Sequence, residues 1–135
     1  MKKYILITLV SISTLLFYCS QSPEKKLVGR WTGINPENGD KIEFIFDENG
    51  TVEFTAGKTI VNKNTAKGNV FWQVNDDFSP MHLDIYKTTG FPIRIPLIIK
   101  FISRRKLLIQ FNEDELVRAE KFDPSGKNQI ELIKQ

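Results

Sequence analysis

The sequence predicts an all-β fold, an antiparallel meander of eight to nine short strands closed as a barrel or split as a sandwich. Three observations predict it. Apolar and polar residues alternate with a period of two, as in Ile42, Phe44 and Phe46, then Val70, Trp72 and Val74, then Met81, Leu83 and Ile85. Clusters of Asn, Asp, Gly and Pro separate these runs at hairpin spacing. No stretch after residue 26 carries apolar residues at the spacing of an amphipathic helix.

The composition fits one folded core. The chain has 135 residues, only 6 Pro and 8 Gly, and 41% hydrophobic residues that include 10 Phe, bulky enough to fill a modest interior. The net charge of +3 includes Lys2 and Lys3, and without them 17 basic residues face 16 acidic ones. Interspersed charge of this kind lacks the concentrated basic footprint of a nucleic-acid binder. With Cys19 as the single cysteine, an intramolecular disulfide, a thiol redox pair and a cysteine-built zinc site are excluded.

Lys2 and Lys3 precede an uncharged run over 4–18, the basic and apolar regions of an export signal. Fifteen residues fall short of the roughly 20 that a helix needs to span a bilayer, so a cleaved signal over 1–18 is expected in place of a permanent anchor. Leu16-Phe17-Tyr18-Cys19 closes the run and resembles the lipobox of bacterial lipoprotein signals, with Phe17 and Tyr18 bulkier than the usual small residues. An ordinary secretory cut after Ser22 has small residues at the required positions but is followed by Pro23. The lipobox resemblance implies acylation of Cys19, attachment to a membrane through that lipid, and a place in the bacterial cell envelope, at the outer membrane rather than the inner. Residues 20–26 are polar and contain Pro23, and read as a linker that reaches roughly 25 Å when extended.

The domain is expected over 27–135. Its opening strand, 27–34, sets Leu27, Gly29, Trp31 and Gly33 on one face, and Trp31 between two glycines implies a crowded interior with the indole plugging one end of the barrel. Residues 35–40 (Asn-Pro-Glu-Asn-Gly-Asp) turn the chain into a strand over 41–47. A three-residue Glu48-Asn49-Gly50 loop pairs Phe46 with Val52 and Phe44 with Phe54, and puts Gly50 at the left-handed position after a type I turn. Residues 57–68 are polar and read as a short irregular strand or a rim excursion. Strands follow over 69–75 and 81–86, the second with His82, Asp84 and Tyr86 outward, and 87–90 turns.

Residues 91–102 are the most hydrophobic stretch of the mature chain, with Ile93, Ile95, Leu97, Ile99 and Phe101 inward and Pro92 and Pro96 marking a bulge or an edge. Parity then asks for an odd loop over 103–105 before Leu107, Ile109 and Phe111 return inward. An acidic turn over 112–115, a strand over 116–122, a Pro-Gly turn and a last strand over 129–134 complete the chain.

Four short motifs along this order carry a resemblance to the small lipocalin-like domains of bacterial lipoproteins. Gly29-Arg30-Trp31 resembles the G-x-W of the first lipocalin strand, and 47–52 resembles the hairpin common in these domains. Pro80-Met81-His82-Leu83-Asp84-Ile85 and Arg118 with Phe122 resemble P-x-x-L-D and R-P-x-x-F elements of an uncharacterised lipocalin-like family, with Ala119 in place of the second Pro. The resemblance implies a calycin-type barrel, a small apolar ligand, no cofactor, and Arg118 laid across the indole of Trp31 as a cation-π cover.

Catalytic signals are sparse. His82, the only histidine, shares a strand face with Asp84, but no nucleophile motif accompanies them and no further metal ligands are recognisable, so neither catalysis nor a metal site is expected. The acidic clusters at 76–77 and 113–115 lack EF-hand spacing and read as solvated turns. Ile98, Ile102 and Leu108 are expected to point outward beside the basic tip of Arg104 and Arg105, where an apolar patch would mark a partner or self-association surface. The resulting expectation is a non-catalytic, lipid-anchored envelope protein that binds a small apolar molecule or an envelope component. The alternative is a protein-interaction module with a filled core, such as a periplasmic inhibitor or a surface lipoprotein that contacts a host. An internal cavity distinguishes the two.

Overall fold

The computed structural model describes residues 21–135, so the expected signal over 1–18 and the acylated Cys19 lie outside the described residues. Among the described residues one short helix, α1 (Pro23–Leu27), precedes nine strands. These are β1 (Gly29–Ile34), β2 (Lys41–Phe46), β3 (Val52–Ala56), β4 (Thr59–Val61), β5 (Phe71–Asn75), β6 (Met81–Lys87), β7 (Ile93–Ser103), β8 (Lys106–Gln110) and β9 (Gln129–Lys134). They form one antiparallel sheet in the order β4-β3-β2-β1-β9-β8-β7-β6-β5, a meander whose first and last strands meet. The sheet curls into a half-barrel. At one end of the seam an isolated bridge joins Thr51 to Phe71, the Val52 and Trp72 amides donate to Val70 and Gly50 carbonyls, and Trp72 Nε1 donates to Asp47 O at 3.1 Å.

The hairpins follow the local chemistry. Phe46 faces Val52 and Phe44 faces Phe54, and Gly50 has φ +90°, as a left-handed turn residue must. The concave face carries the core, in which Phe44 stacks on Phe46 and Phe54, and Trp72 meets Phe46 edge-on at 5.5 Å. Pro96 lies in β7 before that strand's first β8 partner, Ile98, so no β8 carbonyl there lacks a donor.

Several expectations are corrected. Residues 23–27 are helical in place of an extended linker. Ser22 accepts a hydrogen bond from the Lys25 amide, Pro23 stands in the first turn where no N–H is needed, and Leu27 is fully buried at the helix end, so the first strand starts at Gly29. The β7–β8 turn is the two-residue Arg104-Arg105, and the extra residue required by parity is a register shift between Phe101 and Ser103. Lys87 belongs to β6 rather than to a turn. It continues the inward set of Leu83 and Ile85, is buried, and its Nζ donates to Ala66 O of the turn after β4, across the open part of the seam.

The strand expected over 116–122 does not form. Residues 111–128 make a strap across the convex face instead. Gln110 donates to Phe111 O and Lys127 O and accepts from the Asp123 amide, while Arg118 binds Leu97 O at 2.7 Å and Asp84 at 2.6 Å. Ile98, placed between His82 and Gln110 on that face, is therefore buried, and the expected outward patch shrinks to Ile102, half exposed, and Leu108, half-buried.

Candidate ligand-binding site

The two ends of the half-barrel differ. Up-and-down connectivity puts the start of β1, the β2–β3, β5–β6 and β7–β8 turns and the end of β9 at one end, and the β1–β2, β3–β4, β6–β7 and β8–β9 connections at the other.

The first end is shut. Trp31 is fully buried, its Nε1 donates to Leu27 O at 2.7 Å, and its ring lies 6.4 Å from Phe101. The cation over its indole is Lys134, 5.4 Å from the ring centroid, and not Arg118. The β1–β9 register sets Lys134 opposite Trp31, whereas Arg118 is held on the convex face by Asp84 and by the carbonyls of Leu83 and Leu97. Lys134 Nζ also donates to Lys26 O at 3.0 Å, which pins α1 over the end. The two glycines beside Trp31 make room for this. A Cβ on Gly33 would come within 2.3 Å of Glu131 O, and one on Gly29 within 2.8 Å of Lys134 Cε.

The second end is open. A cavity of about 400 Å³ enters the concave face there. Its floor is Ile85, Leu97, Ile109 and Ile130, its aromatic wall is Phe44 and Phe54, and Ala56 and Val61 continue the wall towards the edge strand. Asn35, Asn112 and Glu115 stand at the mouth. The strands produce this lining because the inward positions that face it are apolar, the inward Lys87 and Lys134 lying outside it. The void remains because β4 is only three residues long and leaves the seam uncovered on this side. Such a volume and lining suit a compact apolar molecule with a few polar groups at one end.

Acid–base chemistry does not converge on this cavity. His82 and Asp84 lie across the sheet from it, facing the strap, where His82 stacks on Phe78 at 3.9 Å. Burial holds the His82 imidazole below its ordinary pKa, the Arg118 guanidinium adds to that, and Asp84 opposes it. A wider hollow of about 630 Å³ lined by 110–128 is of mixed polarity and opens broadly to solvent, and on its wall Lys127 pairs with Glu113 and lowers the carboxyl's pKa. Among the described residues no group of three His, Cys, Asp or Glu could hold a metal ion, and no helix is long and apolar enough to cross a membrane.

Of the site residues read from sequence, Trp31 lies at the shut end, Arg104 and Arg105 form an exposed turn with Ile102 beside it, Ile98 lies on the convex face under the strap, and Arg118 is the strap residue that anchors to that face. Lys134 and Lys87 were missed, and the sequence offers little to find them, since each depends on a pairing between distant segments. The start of α1 did carry a signal, the Ser-Pro-Glu at 22–24 typical of a helix N-terminus.

Fold and site together define a curled, all-β half-barrel with one shut end and an apolar cavity at the other. Comparison with protein-family models, with curated proteins and with solved structures gives no match to this chain.

Proposed function

We propose that the protein is a lipid-anchored component of the bacterial cell envelope whose lipocalin-like half-barrel holds a small apolar molecule without transforming it. One observation carries this reading over that of a filled interaction module, namely the apolar cavity of about 400 Å³ open at the end opposite Trp31. An interaction module gains nothing from a void, because unfilled space forfeits packing contacts. The lipobox-like Leu16-Phe17-Tyr18-Cys19 supports the anchor, and Gly29-Arg30-Trp31 supports the lipocalin-like assignment. The absence of converging titratable groups on the cavity wall favours carriage or sensing over catalysis.

Uptake of a neutral apolar fluorophore such as phenylnaphthylamine tests the reading. The full chain is expected to enhance its emission saturably, and Ala56→Phe, which fills the cavity from its wall, to weaken uptake by about tenfold or more with the melting temperature kept. Equal uptake by the two proteins would overturn the assignment of the cavity. A Cys19→Ala variant that still partitions with membranes in detergent extracts would overturn the lipid anchor.

A further inference from the structure

The shut end of the half-barrel has a second property, concentrated charge beside the segment that leads to the membrane. Three pieces of chain are tied together there. The Lys134 amide donates to Arg105 O at 2.8 Å and Arg105 Nη2 donates to Lys134 O at 2.9 Å. Lys134 Nζ reaches Lys26 O at 3.0 Å, and Lys26 Nζ lies 5.7 Å over the Phe101 ring. The C-terminal turn of α1 is thereby fixed beside Phe101 and Lys134, which brings Lys26 to the same end as Arg104 and Arg105, with the exposed Lys25 next to it in the helix.

These cations are free to act on an external anion. Lys25, Arg104 and Arg105 are exposed and Lys26 is half-buried. Among the described residues none of the four has a carboxylate within ion-pairing distance, the nearby pair being Lys106 with Glu131 at 3.3 Å. Ile102, half exposed, adjoins the Arg104-Arg105 turn. One acidic side chain, Glu24, stands in the first turn of α1 itself and is exposed, while Asp47 and Glu48 on one side and Asp76 and Asp77 on the other belong to turns that flank this edge in the strand order.

The occupant follows from chain length and charge. Cys19 stands four residues before Pro23, a span of at most about 14 Å, and the uncharged run over 4–18 lies directly before it. Acylated or uncleaved, the N-terminus brings the bilayer to the α1 edge, well within reach of charges whose screening length is about 10 Å at moderate ionic strength. We infer that α1 and the β7–β8 turn form a docking surface for anionic phospholipid headgroups, with Lys25, Lys26, Arg104 and Arg105 on the phosphates and Ile102 at the acyl boundary. The open end then points away from the bilayer that holds the protein. This inference rests on the N-terminal membrane attachment proposed above, whose failure would show as release of the full chain from both vesicle types, and is independent of what the cavity binds.

Hydrogen exchange of the full chain reconstituted through its own N-terminus tests it, in vesicles of phosphatidylcholine with and without phosphatidylglycerol. Each well-placed cation favours the docked orientation by about fivefold, so amides over 23–27 and 102–106 are expected to exchange several-fold more slowly on the anionic vesicles. The mouth segments 35–40 and 88–92 are expected to be unchanged. Raising the salt to about 1 M, where the screening length is ~3 Å, and the double variant Lys25→Glu with Arg104→Glu should each remove the difference. Both side chains are exposed and, among the described residues, neither makes a hydrogen bond or an ion pair, so the variant is expected to keep its circular dichroism. Equal exchange on the two vesicle types, protection at the mouth instead, or protection that survives the charge reversal would overturn the docking surface.

Discussion

At the scale of single residues, Trp31 organises the shut end, and its neighbours explain its isolation from the cavity. Gly33 lets β9 cross within backbone contact, Leu27 O takes the indole N–H, and Lys134 covers the ring. Trp31→Ala is expected to cost roughly 3 to 5 kcal/mol in a denaturant titration, the range for an emptied aromatic site, and to leave fluorophore uptake intact in the folded fraction. Uptake lost at an unchanged melting temperature would mean that the indole belongs to the ligand site. Gly33→Ala introduces a Cβ that Glu131 O cannot accommodate at 2.3 Å without backbone movement. It is expected to lower stability by more than an alanine on an exposed strand position does, visibly as faster amide exchange over β1 and β9.

Elements show which parts of the fold could be read in advance and which could not. Alternation in β2, β3, β5, β6 and β7 marks both the strands and their inward faces, because one side of each is buried and a one-residue slip would expose it. The strap over 111–128 defeats the same reasoning. Leu116, Arg118 and Glu120 alternate with Val117 and Ala119 in a way that resembles a strand, yet Leu116 is 80% exposed because tertiary anchors at Gln110 and Arg118 decide the path of the segment. Helix α1 is too short to show a period, and distant contacts from Lys134 and Trp31 hold it in place.

The strap supplies two predictions at this scale. Arg118→Ala removes a charge-assisted bond to a half-buried carboxylate and is expected to cost about 1.5 to 3 kcal/mol, with tryptic cleavage after Lys121 accelerating before the barrel unfolds. His82 supplies the pH dependence. Its folded-state pKa is lowered from the ordinary value of 6.5, so the unfolded chain binds the proton more readily. Its contribution to stability is complete above 6.5 and is lost as the pH falls from there through the folded-state value. Urea midpoints measured between about pH 7 and pH 5 should fall more steeply for the native chain than for His82→Gln. Parallel slopes would show that the imidazole is not held neutral by the fold.

For the whole molecule, the all-β meander, its sheet and its inward faces were legible, and the state of the interior was not. The same aromatic and aliphatic residues can fill a barrel or line a cavity, and the choice rests on how the seam closes. Here β4 ends after three residues, Lys87 spans to Ala66 where a strand pair would otherwise form, and the bridge at Thr51 and Phe71 closes only the end next to Trp31. That asymmetry leaves an apolar void at the end opposite Trp31. Native mass spectrometry of the protein purified from its own membranes tests the central claim most directly. The account predicts a reproducible non-covalent mass of one small molecule, released on unfolding and missing from Ala56→Phe. The bare mass in every preparation, with no uptake of an added apolar probe, would contradict it.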